Sequence, residues 1–395
     1  MKVKVKSKKG LLGIILIAII LGIMLAICLI NNQKSKSDKT IIEYLKQVLN
    51  LKEEDYNEDA NNKIEESQKI AIVPTMQDTL NSNSAWCPTF QLVWNDLKNV
   101  VVGQDIVFEE QLAMVENLNK EEFTEDMLNE NSYFKIYGLK TLELRQQIID
   151  GIMNKFGETS DIIDEIDWSE GALHKEGSLE ERYIFYSMLK KKFNFEQEFT
   201  VLEPSSFGSK YNVVQYFGVN SSTKESVRKQ VEVLYYNSET EFAVELSTKE
   251  GDSIILTRGE NGNTFKEIYD NIKLKKENFD GNIYLQTEDR LKIPNIKMDV
   301  KKEYTELLNK EFITKDGKTA EIDEAIQTIK FELDNTGGEV KSEAVISTKV
   351  TSALQQNDYE PRYFNFDDEF TLFLKEDGKE LPYLAVQITD ISLYQ

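Results

Sequence analysis

Asp334-Asn-Thr-Gly-Gly-Glu-Val-Lys-Ser-Glu-Ala-Val-Ile-Ser-Thr-Lys-Val-Thr-Ser352 is the stretch on which the fold turns. From Gly338 the even positions are Gly, Val, Ser, Ala, Ile, Thr, Val and Ser, all small or apolar. The odd positions from Glu339 are Glu, Lys, Glu, Val, Ser, Lys and Thr, mostly polar or charged. Such a period of two gives a ribbon with one face for a core and one for water. No proline interrupts it. At roughly 3.3 Å per residue it extends about 50 Å, well beyond an ordinary strand. Gly337-Gly338 at its start supplies a pivot, since glycine tolerates the φ values a hinge needs. Taken by itself, the alternation also fits a long hairpin arm at the end of a sheet.

The surroundings read as α+β. A strand is expected just upstream, near 325–333. Tyr211–Val219, Gln230–Tyr236, Glu241–Leu246 and Asp252–Leu256 form strand-like runs separated by polar turns. Further strands are expected near 286–293, 363–375 and 382–392. Helices are expected over Phe90–Leu97 behind Pro88, over Leu139–Phe156, and near 264–272 and 301–312. No composition break divides residues 71–395, so they are expected to form one domain.

The N-terminus has a different character. Lys2, Lys4, Lys6, Lys8 and Lys9 precede an unbroken apolar run, Leu11–Ile30. Twenty residues in a helix span about 30 Å, the thickness of a bilayer's hydrocarbon. The expected layout is a basic cytoplasmic tail over 1–10, a transmembrane anchor over 11–30, a polar stalk over 31–70 and an extracellular body. A cleaved signal peptide is the alternative. Its usual Ala-x-Ala exit is missing, and Leu25-Ala-Ile-Cys28 is a poor lipoprotein site because Ile27 is large.

Charge and side-chain inventory exclude several functions. The chain carries a net charge of −22, and residues 1–39 hold eight Lys against one Asp. The remaining body is therefore strongly acidic, a poor binder of nucleic acid. His174 is the single histidine and Cys28 and Cys87 the only cysteines. No disulfide framework, Cys-rich zinc site or two-histidine metal site can be built from them. Asp316-Gly-Lys-Thr319 lacks the upstream glycine of a phosphate loop, and no G-x-G-x-x-G occurs. His174 sits in a polar stretch and reads as a surface residue, so no catalytic residue, metal or cofactor is expected, and the chain is read as not an enzyme.

The order of these pieces resembles the serpin family. Ile326–Ala344 looks like a serpin strand running into its reactive-loop hinge, with Gly337, Gly338 and Glu339 at the matching positions. Tyr363–Leu374 and Leu381–Ile388 are similar to the strands after the loop, and Leu291–Leu308 to the Leu-Pro strand and a following helix. Gln230–Tyr236, Phe242–Leu246 and Ile254–Leu256 resemble the central hairpin, and Asn83-Ser-Ala-Trp-Cys87-Pro88 the Asn-x-x-x-Ser-Pro stretch. The residue balance fits a low-GC bacterium. The resemblance implies a serpin-like fold of several sheets, surrounding helices and an exposed reactive loop. It also implies a protease inhibitor: a serine or cysteine protease cuts the loop, and the arm enters a sheet as a new strand. The implied hinge is Gly337, Gly338, Glu339, Val340, Ser342 and Ala344, with Val340 an unusually large member. The implied gate positions are Cys87, Phe90 and Gln327, where the family has serines and a histidine. Leu189 stands where the family has a tryptophan. Family spacing puts the cut bond at Thr351–Ser352, with Lys349–Val350 the other candidate. The protein is expected to be a monomer. A non-inhibitory serpin-like binding or structural module is the alternative, favoured by the altered gate and Val340.

Overall fold

A computed structural model describes residues 69–395 except 161, 177–180, 210, 323 and 339–359. The expected tail, anchor and most of the stalk lie outside the described residues. So do Glu339, Val340, Ser342, Ala344, Lys349, Val350, Thr351 and Ser352. Among the described residues no helix is long and apolar enough to cross a membrane.

The filled centre is a seven-stranded sheet. Its members are β1 (Ala71–Ile72), β2 (Ser84–Trp86), β8 (Val231–Ser238), β9 (Glu241–Ser247), β10 (Asp252–Arg258), β18 (Phe370–Glu376) and β19 (Leu384–Ile388). They lie in the order β1-β2-β19-β18-β10-β9-β8. β10 and β18 are buried along nearly their whole length, which explains their continuous rather than alternating apolar runs. α5 (Phe265–Asn278) covers part of this sheet. Thr264 caps it by accepting from the Glu267 amide at 3.1 Å, and Glu267 accepts in return from the Asn263 amide at 2.7 Å. Its Phe265 and Tyr269 rings meet Phe373 at 6.1 and 5.4 Å. Each such ring removed from water stabilises by roughly 1.5–3 kcal/mol.

A second sheet, in the order β17-β11-β7-β6, joins β17 (Tyr363–Asn365), β11 (Arg290–Pro294), β7 (Tyr211–Val219) and β6 (Thr200–Phe207). β17 begins right after Arg362, whose guanidinium donates to Asp289 Oδ2 at 2.8 Å inside the fold. The chain emerging from residues 339–359 is thus fixed at its far end.

Four two-stranded pairs complete the sheets among the described residues, the two short ones joining β13 (Glu311–Ile313) to β14 (Thr319–Glu321) and β16 (Gly337–Gly338) to β5 (Phe193–Asn194). β3 (Tyr133–Leu139) pairs antiparallel with β4 (Tyr183–Leu189), and β12 (Ile296–Glu303) pairs antiparallel with β15 (Ile326–Leu333). β15 alternates as its sequence demands: Gln327, Ile329, Phe331 and Leu333 are buried and the residues between them are not. α3 (Leu142–Phe156) packs Leu144, Ile148 and Ile152 against Ile184 and Tyr186 of β4. The smaller helices are α1 (Thr89–Asp96) with a π-helical turn over Leu97–Val102, α2 (Ala113–Asn119) and α4 (Glu225–Arg228).

Three sequence expectations are corrected. The helix expected near 301–312, and with it the helix following the Leu-Pro strand, is absent: β12 runs to Glu303, a single 3-10 turn follows at Thr305–Leu307, and β13 comes next. The reason is β15, which offers β12 an eight-residue ladder that outweighs the helical propensity of the Lys-Lys-Glu segment. The helix read from Leu139 starts at Leu142, because Tyr133–Leu139 is drawn into β3. The strand read over 363–375 is two strands, broken after Asn365.

Candidate functional site

β4 and β15 each have one partner among the described residues, β3 and β12 respectively. Between their other edges runs a groove of about 1130 Å³. Every residue of β4 and all of β15 from Ile326 to Glu332 line it. A strand edge carries a row of unpaired N–H and C=O groups, so a groove with one such edge on each side is a template for one added strand.

The hinge glycines sit at the upper end of this groove. β15 turns back through Asn335 and Thr336: the Asp334 amide donates to the Gly337 carbonyl at 2.9 Å, and the Thr336 amide and hydroxyl both donate to Asp334 Oδ1, at 2.8 and 2.7 Å. β16 then pairs antiparallel with β5, Gly337 opposite Asn194 and Gly338 opposite Phe193. Both positions need glycine. Gly337 has φ +132°, and a Cβ there would lie 2.3 Å from the Phe193 carbonyl oxygen. A Cβ on Gly338 would lie 2.9 Å from the Glu332 carbonyl oxygen and 3.0 Å from the Phe193 ring. Gly338 is therefore wedged between the two sides of the groove at its head.

The floor near that head holds a charged cluster. Lys191 donates to Asp252 Oδ1 at 2.5 Å and to Glu376 Oε1 at 2.7 Å, and lies 4.9 Å over the Tyr383 ring. Burial pushes the Asp252 carboxyl above its usual range, against the pull of Lys191. Leu189, like Lys191, lines the groove.

The expected gate residues meet lower down. Gln327 donates from Nε2 to the Cys87 carbonyl at 2.9 Å and to the Thr89 hydroxyl at 3.0 Å. Its Oε1 accepts from the Tyr304 hydroxyl at 2.7 Å, and Phe90 stacks on Tyr304 with centroids 4.0 Å apart. Cys87, Phe90 and Gln327 thus share one site, which ties β15 to the start of α1. Thr89 and Tyr304 belong to it and were not singled out from the sequence. Thr89 stands two residues after Cys87 in the sequence, the one signal that could have found it. Burial raises the Cys87 thiol to about 11, so it stays protonated near neutral pH. His174 is half-buried, and its amide donates to the Lys140 carbonyl at 2.9 Å. Its Nδ1 has no hydrogen-bond partner among the described residues.

No family model matches the sequence, and no curated protein matches it. Solved structures do. Human thyroxine-binding globulin is 11% identical, covering 78% of this chain and 92% of its own, with a TM-score of 0.44. Serpin48 of the insect Tenebrio molitor is 14% identical, covering 79% and 92%, with a TM-score of 0.43. Arabidopsis AtSerpin1, in its native stressed conformation, is 11% identical, covering 79% and 75%, with a TM-score of 0.38. The likeness is to serpins. With these TM-scores below 0.5 it is a distant one, and the serpin-like reading of the groove rests on this chain's own strands and hinge.

Proposed function

We propose that the groove receives the chain's own segment from Gly338 onward, and that the protein is an inhibitor that traps a protease by this strand addition. The observation that carries the reading is the position of Gly338, clasped between β5 and Glu332 at the head of a groove with an open strand edge on either side. Continuing the hairpin register set by Asp334 opposite Gly337 brings Val340 opposite Phe331, Ser342 opposite Ile329 and Ala344 opposite Gln327. The small, even-numbered side chains then meet the dry face of β15, and Glu339 and Lys341 fall on the wet face. Val340 is the largest side chain the dry face must accept in the first turns of insertion.

The chemistry follows from that register. A protease cutting at Thr351–Ser352, or at Lys349–Val350, forms an acyl-enzyme with the upstream fragment. The freed arm pairs into the groove and pulls the acylated enzyme away from Arg362, where the far end stays fixed. A serine or cysteine protease is the expected target, since both classes pass through an acyl-enzyme. Residues 11–30 would hold a monomeric protein on the outer surface of the membrane through its stalk. A surface binding module on the same scaffold is the second reading. The observation favouring it is the Cys87–Phe90–Gln327–Tyr304 site, whose closed hydrogen bonds resist movement of β15.

Incubation with a panel of serine and cysteine proteases tests this. An SDS-stable adduct of one protease with one chain is expected. Clean cleavage within 345–358 with no adduct by any of them would leave the binding module.

A further inference from the structure

Lys191 lies just past the end of β4 and reaches between two carboxylates on neighbouring strands of the seven-stranded sheet. Asp252 opens β10 and Glu376 closes β18, and the two are direct partners in the β10–β18 ladder. Lys191 Nζ donates to Asp252 Oδ1 at 2.5 Å and to Glu376 Oε1 at 2.7 Å. Both carboxylates are buried, and the Tyr383 ring closes over the Lys191 nitrogen at 4.9 Å. Glu376 is held in place by the Asn129 amide, which donates to Oε2 at 2.8 Å, and by the Ser132 hydroxyl, which donates to Oε1 at 3.1 Å. Asp252 lacks such support at Oδ2, which has no hydrogen-bond partner among the described residues. One carboxylate is thus positioned as a base and the other is left open to attack. Burial also favours the neutral acid at Asp252.

We propose that Lys191 and Asp252 become joined by an intramolecular amide bond, with Glu376 carrying the proton. Glu376 takes a proton from the Lys191 ammonium. The free amine adds to Cγ of the neutral Asp252 acid and forms the N–C bond. Glu376 then gives its proton to the departing hydroxyl and takes the next proton from the nitrogen, the C–O bond breaks, and water leaves. An ammonium, a carboxylic acid and a carboxylate become an amide, a water and a carboxylic acid, with no oxidant or reductant. In bulk water the amine is protonated, the carboxyl ionised and the groups apart; contact in a dry site removes all three obstacles. Until the bond closes, Asp252 titrates as a free acid. Once closed, it ties the end of β4 to the seven-stranded sheet at the head of the groove. The bond does not depend on strand addition.

In the test, the full chain is aged after purification, denatured and weighed by mass spectrometry. A loss of about 18 Da is expected, one water, with a tryptic product in which the peptides holding Lys191 and Asp252 stay joined. Lys191→Arg and Glu376→Gln should keep their full masses. Aged wild type at its full mass would overturn the bond and leave an ion pair only. The same loss of mass without the joined product would overturn it too, because ring closure of an aspartate on its own backbone sheds one water as well. A joined product formed as completely in Glu376→Gln would overturn the role given to Glu376. The wild-type mass decides on its own, so a variant that fails to fold does not shelter the proposal.

Discussion

The seven-stranded sheet and the β4–β15 groove are built from similar strands and end in opposite states. In the sheet, β10 and β18 are each paired on both edges, and their Leu256 and Leu372 side chains have no exposed surface. At the groove, β4 and β15 are each paired on one edge among the described residues, although β15 alternates as cleanly as any strand of the fold. The lesson is that strand quality does not decide completeness. Under the strand-addition proposal, the strand that would complete the groove is the chain's own segment from Gly338 onward, and its pairing would release the energy for work.

The comparison can be broken first in the filled sheet. Phe242 contacts Tyr236, Phe364 and Phe366 and is fully buried. Phe242→Ala should cost about 3–5 kcal/mol in chemical denaturation, in intact and nicked protein alike. A loss confined to one form would mean that the sheet takes part in strand addition. Gln327→Leu acts at the groove: it leaves the Tyr304 hydroxyl unpaired and frees β15 from α1, at about 1–3 kcal/mol. An unchanged denaturation midpoint would remove this site from the account of how β15 is held.

Two smaller effects sharpen the difference. Asp252 has a carboxyl held above its ordinary range, chiefly by burial. The folded protein therefore keeps that proton more firmly than the unfolded chain does. The stability from this group is present at low pH and is lost as pH rises through the raised value. Asp252→Asn keeps the Lys191–Glu376 pair and removes the titration. Wild type should lose stability relative to the variant as pH rises from about 4 to 7; parallel curves would contradict the assignment. Finally, if the arm adds in the hairpin register, Lys341 would come opposite Lys330, a like-charge pair of roughly 0.2–1 kcal/mol. Lys341→Glu should speed conversion of the nicked protein by a small factor, measured by stopped samples on a heat-challenge gel. No change would argue for another register.

Much of this was legible in local pattern. A strand near 325–333 was legible from the sequence, and Tyr211–Val219 was readable to its ends, because a period of two is visible without knowing the partner. β12 shows where that reading lapsed. Ile296-Lys-Met-Asp-Val300 alternates too, with Ile296 and Met298 buried, but the Lys-Lys-Glu that follows looked helical. Cys87, Phe90 and Gln327 were placed through a family resemblance, and they do meet. Tyr304 had no such signal, since its hydroxyl finds Gln327 only after β12 and β15 have paired. The Glu165–Lys301 ion pair was illegible for the same reason: the two residues are joined by tertiary placement alone.

The most direct measurement is thermal unfolding of the protein before and after a single nick within 345–358. Strand addition predicts a melting temperature higher by on the order of 10 °C or more once the arm is free to enter the groove. A nicked protein that melts at or below the temperature of the intact one would contradict the account at its centre.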